Sequence, residues 1–278
     1  MNNSLGSADV IVERNVEVPM RDGTVLRADI WRPDAAGQFP VLIERTPYDK
    51  TASSESSLGA GEYYASHGYV TVIQDVRGRF ASDGVFYPFR DDGDGENQDG
   101  YDTVEWAAAQ PWSNKKIGTI GGSYSGATQY RMLATQPPHL VAQFVRQSSS
   151  DYYIEWVYRS GVFEHGFNIS WTLKHASTNA AKLAPEGMED EVVTRLTKAS
   201  DDYQKWLEHV PISPLLPVAD LQEWFVDWMD HPNQGEYWNE FSIVRSHDRV
   251  DVPVHHFGSW YDCFLRGTLE NYVGMRSK

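Results

Sequence analysis

The stretch Thr119-Ile120-Gly121-Gly122-Ser123-Tyr124-Ser125-Gly126 sets how the rest of the chain is read. A β-rich run, Lys116 to Ile120, leads straight into it, and a helix-compatible run, Ala127 to Thr135, follows at once. Strand, small-residue turn carrying one serine, and helix together make the layout of a nucleophile elbow. Such a bend holds its central residue at strained backbone angles, and only small neighbours pack beside it. Gly121 and Gly122 precede Ser123; Ser125 and Gly126 follow it. The usual spacing puts a glycine two residues past the nucleophile. Here Ser125 holds that place, still small, and the glycine comes one residue later. A plain Gly–Ser loop is the blander reading; the strand before and the helix after favour the elbow.

Working outward, Val10 to Pro19 and Thr24 to Arg32 are strand-like, with Arg21-Asp22-Gly23 between them as a hairpin turn. Phe39 to Glu44 is a further strand, Gly61 to His67 a short helix, and Tyr69 to Asp75 a buried strand with a continuous apolar run. Asp99 to Gln110 is amphipathic, and Asp99 or Asp102 is placed to cap its start. With Leu140 to Val145 after the elbow, strands alternate with helices, which predicts a mostly parallel sheet covered on both faces. The character changes near Ser148. From Asp151 to about Trp238 the pattern is helical and rich in aromatic and charged residues, broken by Pro211, Pro214 and Pro217. Strand character returns over Val252 to Gly258, and Phe264 to Arg276 is again helical. The expectation is an α/β sheet interrupted by a helical insertion and then resumed.

At 278 residues the chain can bury a sizeable core, and 41% hydrophobic with 13% aromatic content suits a packed protein. A net charge of −15 argues against nucleic-acid or anionic-membrane partners. The single cysteine, Cys263, leaves no internal disulfide and fits a reducing compartment. Met1 to Asp9 has no apolar signal core, and no run of 18 apolar residues exists, so a cytoplasmic protein without a membrane span is expected. A homo-oligomer is left open. The acidic run Asp91 to Asp99 lacks the calcium-loop pattern and reads as a solvated loop. No spacing supports zinc or a dinucleotide, so neither metal nor cofactor is expected.

A serine hydroxyl is a weak nucleophile until a base takes its proton, and an acid usually orients that base. In elbow hydrolases the chain order is serine, acid, histidine. Asp262 fits the acid, in the loop Ser259-Trp260-Tyr261-Asp262 past a late strand; capping the helix that opens at Cys263 is its competing role. The oxyanion of the tetrahedral intermediate needs donors. The backbone amide of Tyr124 supplies one, and the phenol of Tyr48, in Arg45-Thr46-Pro47-Tyr48, is a candidate for the second. Asp75 and Arg77 are expected to form a structural pair beside the site.

The stretches Gln74-Asp75-Val76-Arg77-Gly78-Arg79-Phe80-Ala81-Ser82-Asp83-Gly84, Asp99-Gly100-Tyr101-Asp102-Thr103-Val104-Glu105-Trp106, Gln110-Pro111-Trp112 and Gly122-Ser123-Tyr124 resemble those of the X-Pro dipeptidyl-peptidase-like, cocaine esterase-like serine hydrolases. Gly258-Ser259-Trp260-Tyr261-Asp262 is similar to that family's acid loop, and Arg45-Thr46-Pro47-Tyr48 to its oxyanion tyrosine segment. The resemblance runs from about Val16 to the end and is weakest in the helical insertion. It implies an α/β-hydrolase core over residues 1–148, a helical cap over 149–243, and a return to the core over 244–278. Ser123 then matches the nucleophile, Asp262 the triad acid, and Tyr48 with Tyr124 the oxyanion hole; Trp156, Trp171 and Phe264 fall where the family lines its acyl pocket.

Two departures from the family pattern matter. Its C-terminal jelly roll is absent, and no histidine follows Asp262, although nine precede it. His255 and His256 lie in a strand, one on each face, and read as packed or hydrogen-bonded; His165 or His175 is a poorly supported substitute base. The simplest expectation is an N-terminal portion of a longer enzyme. The function expected is hydrolysis of a small-molecule ester or amide through an acyl-enzyme, impaired in this chain. A proline-directed dipeptidyl-peptidase and a non-catalytic binding or scaffolding chain are the alternatives.

Overall fold

The computed structural model describes residues 9–55, 60–212 and 217–276; the polar N-terminal run and Pro214 lie outside these apart from Asp9. Two compact units emerge, one of Met1–Ser150 with Ile243–Lys278, the other of Asp151–Ser242.

In the first unit, β1 (Val10–Pro19) and β2 (Val25–Pro33) form an antiparallel hairpin. Gly23 takes φ +86° at its turn, and the Asp22 carboxylate accepts the Thr24 amide at 3.0 Å. The strand β3 (Phe39–Thr46) leads to α1 (Lys50–Glu55) and α2 (Ala60–Ser66). Every residue of β4 (Val70–Asp75) is buried, which is what its unbroken apolar run requires. Next come α3 (Asp99–Ala108), β5 (Ser113–Gly122), α4 (Tyr124–Leu133) and β6 (Leu140–Arg146).

The second unit opens on a single π-helical turn, Tyr153–Val157, and a hairpin of two-residue strands, β7 (Tyr158–Arg159) and β8 (Val162–Phe163), where only helix was expected. It continues through α5 (His165–Ser177), α6 (Ala180–Leu183), α7 (Glu189–Asp201), α8 (Tyr203–Leu207), α9 (Glu223–Asp230) and α10 (Glu236–Asn239). Its core is aromatic. Trp156, Trp224, Trp228 and Trp238 are buried, and Trp171 sits between them, edge-on to Trp156 at 5.6 Å and to Trp224 at 5.5 Å. Burying so many large rings allows short helices to hold together without a sheet.

The chain then returns to the first unit with β9 (Val254–Phe257) and α11 (Leu265–Arg276). The seven-stranded sheet has the order β1-β2-β4-β3-β5-β6-β9. β2 runs antiparallel to β1 and β4, and the strands from β4 to β9 are parallel to one another. From β3 the chain steps to β4 on one side and then crosses to β5 on the other. That reversal is the place where open α/β sheets form a crevice at the carboxyl ends of their strands. α2 covers β2 and β4; α4 packs on β3, β5 and β6. This is an α/β-hydrolase architecture with a helical unit inserted between β6 and β9. Among the described residues no helix is long and apolar enough to cross a membrane.

Candidate active site

The last residue of β5 is Gly122 and the first of α4 is Tyr124, so Ser123 occupies the bend alone. Its backbone stands at φ +55°, ψ −121°, a region that costs a non-glycine residue about 1–3 kcal/mol. The surroundings hold it there. The Ser123 amide donates to Arg146 O at 3.0 Å and Gln147 O at 3.2 Å, and its carbonyl accepts from the Gly126 and Ala127 amides and the Ser148 hydroxyl, each at 3.0 Å. The helix begins at Tyr124 rather than Ala127, because a strained residue 123 leaves no intervening turn.

The displaced glycine has a steric explanation. A Cβ on Gly121, whose φ is +140°, would lie 2.5 Å from Ser125 Cβ. Residues 121 and 125 therefore cannot both carry side chains without a shift, and here the glycine stands on the near side of the serine. Gly126 is needed for another contact: a Cβ there would come within 2.7 Å of Ser148 Cβ.

Tyr124 opens α4, and an amide in the first turn of a helix has no acceptor within that helix. Its side chain is buried, stacked on Phe89 with ring centres 4.7 Å apart, and its phenol oxygen accepts the Phe89 amide at 2.9 Å.

Tyr48 lies two residues past the end of β3, with 39% of its surface exposed. Its amide donates to Thr46 Oγ1 at 3.1 Å. The next residue, Asp49, takes φ +77°, and the Lys50 amide then donates to Asp75 Oδ1 at 2.7 Å.

Asp262 follows β9. Its carboxylate accepts the Phe264 and Cys263 amides in the turn before α11, which opens at Leu265 rather than at Cys263, and burial outweighs these bonds in raising its pKa above the ordinary carboxylate value. The other oxygen, Oδ2, is buried and has no hydrogen-bond partner among the described residues. The turn thus uses one side of the carboxylate and leaves the other.

Tyr48, Ser123 and Asp262 each follow the carboxyl end of a strand, β3, β5 and β9 respectively. Gly122 of β5 pairs with Arg146 of β6, which pairs with Phe257 of β9. The Gln147 amide donates to Phe257 O at 2.8 Å while Gln147 O accepts the Ser123 amide, a two-bond bridge from the serine to the strand that precedes Asp262. On the other side of β5, β3 runs parallel and ends toward Tyr48. Phe264 is buried beside Asp262 at the start of α11. Trp156 and Trp171 belong to the aromatic core of the second unit, where Trp156 is fully buried and Trp171 keeps a partly exposed face.

The histidines of the first unit are all occupied elsewhere. His139 meets Glu105 at 2.7 Å, His256 the Tyr130 hydroxyl at 2.6 Å and His247 Asn271 at 2.9 Å. His67 contacts the Tyr63 carbonyl at 2.6 Å, and His255 stacks on Phe144 at 4.9 Å. His255 and His256 do face opposite sides of the sheet. In the second unit, Nε2 of His165 meets the Leu207 carbonyl at 3.1 Å, and His175 packs on Trp171 at 4.0 Å.

Three sequence expectations are corrected. Arg77 does not pair with Asp75; it bonds Asp99 and Asp22, both at 2.6 Å, while Asp75 takes Lys50 Nζ at 3.1 Å. Residues 75 and 77 lie on either side of a strand end and diverge. Neither Asp99 nor Asp102 caps α3: Gln98 holds that position, Asp99 pairs with Arg77, and Asp102 with Arg21 at 2.8 Å. Nor is Asp91 to Asp99 a solvated loop throughout. Asp92 is buried against Arg45 and Asp99 against Arg77, and burial pushes Asp99 up to about 6. Alternating-looking acidity gave no sign of those buried arginines.

Other residues near the elbow carry no motif. Glu44 is bonded to the Ser125 hydroxyl, and burial raises its pKa. Arg79 is buried, and burial lowers it to about 10. The flanking Gly78 and Gly84 were the only signal that the Arg79 loop folds tightly.

Residues 22–278 match the family described as X-Pro dipeptidyl-peptidase (S15 family). Cocaine esterase of Rhodococcus sp. (strain MB1 Bresler) is 33% identical over 273 residues, 95% of this chain and 46% of that protein. A CocE/NonD family hydrolase from Staphylococcus aureus superposes with a TM-score of 0.72 at 25% identity, covering 95% of this chain and 44% of the other. An α-amino acid ester hydrolase gives the same TM-score at 24% identity over 99% of this chain and 47% of the other. The chain spans about half the length of these relatives. With a sheet of this order, a strained serine at the β5–α4 bend and a match over nearly its full length, the chain belongs to the X-Pro dipeptidyl-peptidase (S15) family.

Proposed function

We propose that this chain carries the nucleophile side of a serine hydrolase that cleaves small esters or amides by acyl transfer. The observation that carries this reading is Ser123 at φ +55° between β5 and α4, its backbone held from both sides. Ser123 Oγ attacks the substrate carbonyl carbon and gives its proton to a base. The carbonyl oxygen becomes an oxyanion that accepts hydrogen bonds from the Tyr124 amide and the Tyr48 phenol. Collapse of the tetrahedral intermediate expels the alcohol or amine, which takes the proton, and leaves an acyl-Ser123 ester. Water then attacks that ester and releases the acid. Asp262, through Oδ2, orients the base. The 33% identity to cocaine esterase supports an ester over a dipeptide substrate.

His67, His139, His247, His255 and His256 have their partners elsewhere, which supports a reading in which the first unit of this chain does not supply the base. Slow turnover follows, since loss of a triad member removes several orders of magnitude of rate. The test uses p-nitrophenyl acetate with and without added imidazole, which can stand in for a missing side chain. Hydrolysis by the chain should rise with imidazole above that of a Ser123→Ala control, and an aryl phosphonate should label the Ser123 peptide. Equal rates for the two proteins at every imidazole concentration, with no label on Ser123, would refute the hydrolytic reading and favour a binding or scaffolding role.

A further inference from the structure

Arg79 belongs to the turn after β4, and that turn is rigid. The Gly78 amide donates to Asp83 O at 2.9 Å, the Ser82 amide to Arg79 O at 2.9 Å, and the Ser82 hydroxyl to Asp75 O at 2.6 Å. Gly78 stands at φ +71°, and a Cβ there would lie 2.1 Å from Phe86 N. The backbone of this loop therefore presses against residues 85 and 86 and has one arrangement.

From it, the Arg79 side chain runs inward and is only 1% exposed. Its Nε donates to the Pro47 carbonyl at 2.9 Å. Its guanidinium lies 4.8 Å over the Phe80 ring and 5.4 Å over the Phe86 ring, and Phe86 packs 6.0 Å from Tyr124. The Pro47 carbonyl and the Tyr48 amide are the two polar atoms of one peptide plane. Arg79 holds the first, and Thr46 Oγ1 holds the second at 3.1 Å. Burying a guanidinium this deeply is unfavourable unless its contacts offset the lost hydration. The contacts here brace the peptide that leads into Tyr48.

We propose that Arg79 is the positioning residue of the oxyanion pocket: it clamps the Pro47–Tyr48 peptide and so aims the Tyr48 phenol at the carbonyl oxygen attacked by Ser123. The clamp itself stands on the loop geometry; its purpose rests on the hydrolytic reading. A lysine at 79 could keep one bond to Pro47 O but not the planar stacking between Phe80 and Phe86.

Two measurements on the full chain test it. Amide hydrogen exchange over residues 46–52 should quicken by about tenfold in Arg79→Met and less in Arg79→Lys, with exchange in β5 and β6 unchanged. Unchanged exchange over 46–52 in both variants would overturn the clamp; if Arg79→Met fails to fold, Arg79→Lys decides. The second measurement is the rate at which an aryl phosphonate labels Ser123, in a cycle with Tyr48→Phe. Tyr48→Phe should slow labelling about a hundredfold or more, and Arg79→Met about ten- to a hundredfold. The double variant should be no slower than Tyr48→Phe alone, because Arg79 acts through the phenol. Additive losses would overturn the positioning role. Absence of labelling in the unaltered chain, with the exchange result as expected, would instead count against the hydrolytic reading and leave the clamp standing.

Discussion

Replacing Gly121 by alanine tests the elbow where the structure is most exacting. Two separate costs arise. The first is conformational: at φ +140° an L-residue is strained, about 1–3 kcal/mol. The second is steric: the new Cβ would lie 2.5 Å from Ser125 Cβ and 3.1 Å from Ser125 O. Backbone cannot swing aside as a long side chain can, so overpacking adds another ~1–3 kcal/mol. The sum, about 2–6 kcal/mol, lowers Tm by roughly 4–24 °C in a protein of this size. Differential scanning fluorimetry and urea unfolding measure it. Adding Ser125→Gly removes the atom against which the new Cβ presses, but not the φ strain. The double variant should therefore be less destabilised than the sum of the two single variants by about 1–3 kcal/mol. A Gly121→Ala protein with unaltered Tm, or strictly additive effects, would refute the account of why the glycine stands at 121 rather than 125.

Three further outcomes follow from the electrostatics and the turn before α11. The bond from Arg77 holds Asp22 down at about 2, below its ordinary value of 3.8, so it contributes stability present above pH 4 and lost as pH falls through 2. Asp22→Asn should flatten that acid limb in urea titrations run from pH 2 to 5; an unchanged limb would refute the assignment. Burial pushes His256 down to about 4, with His255 and His247 adding to it. The folded state thus binds its proton less readily than the unfolded state, and stability should fall as pH drops from 6.5 to 4. NMR of its imidazole should show titration near 4, and a midpoint near 6.5 would contradict the burial argument. Asp262→Asn keeps an oxygen that can accept the Phe264 and Cys263 amides and should leave Tm nearly unchanged, whereas Asp262→Ala should lose about 0.5–1.5 kcal/mol. If Asp262 also orients a base, both variants should slow Ser123 labelling alike; a slowing confined to Asp262→Ala would reduce its role to holding the turn.

The order of elements and the identity of the bend were legible in one dimension. Gly121-Gly122-Ser123 between a β-rich and a helix-compatible run needs only local sterics, and local sterics are written in consecutive residues. The apolar run of β4 announced a strand buried on both faces for the same reason. Long-range electrostatics were not legible. Arg77 bonds residues 55 positions before it and 22 after it rather than its neighbour at 75, and Arg45 reaches Asp92 across 47 positions. Chain direction at a strand end decides such pairings, and no spacing encodes it. The same holds for Arg79, whose clamp on Pro47 exists only because β3 and β4 lie side by side. What the sequence determined alone was where the chain must turn tightly and which residues are small enough to let it. What the tertiary structure decided was which buried charges meet, because pairing depends on the distance between strands that are far apart in the chain.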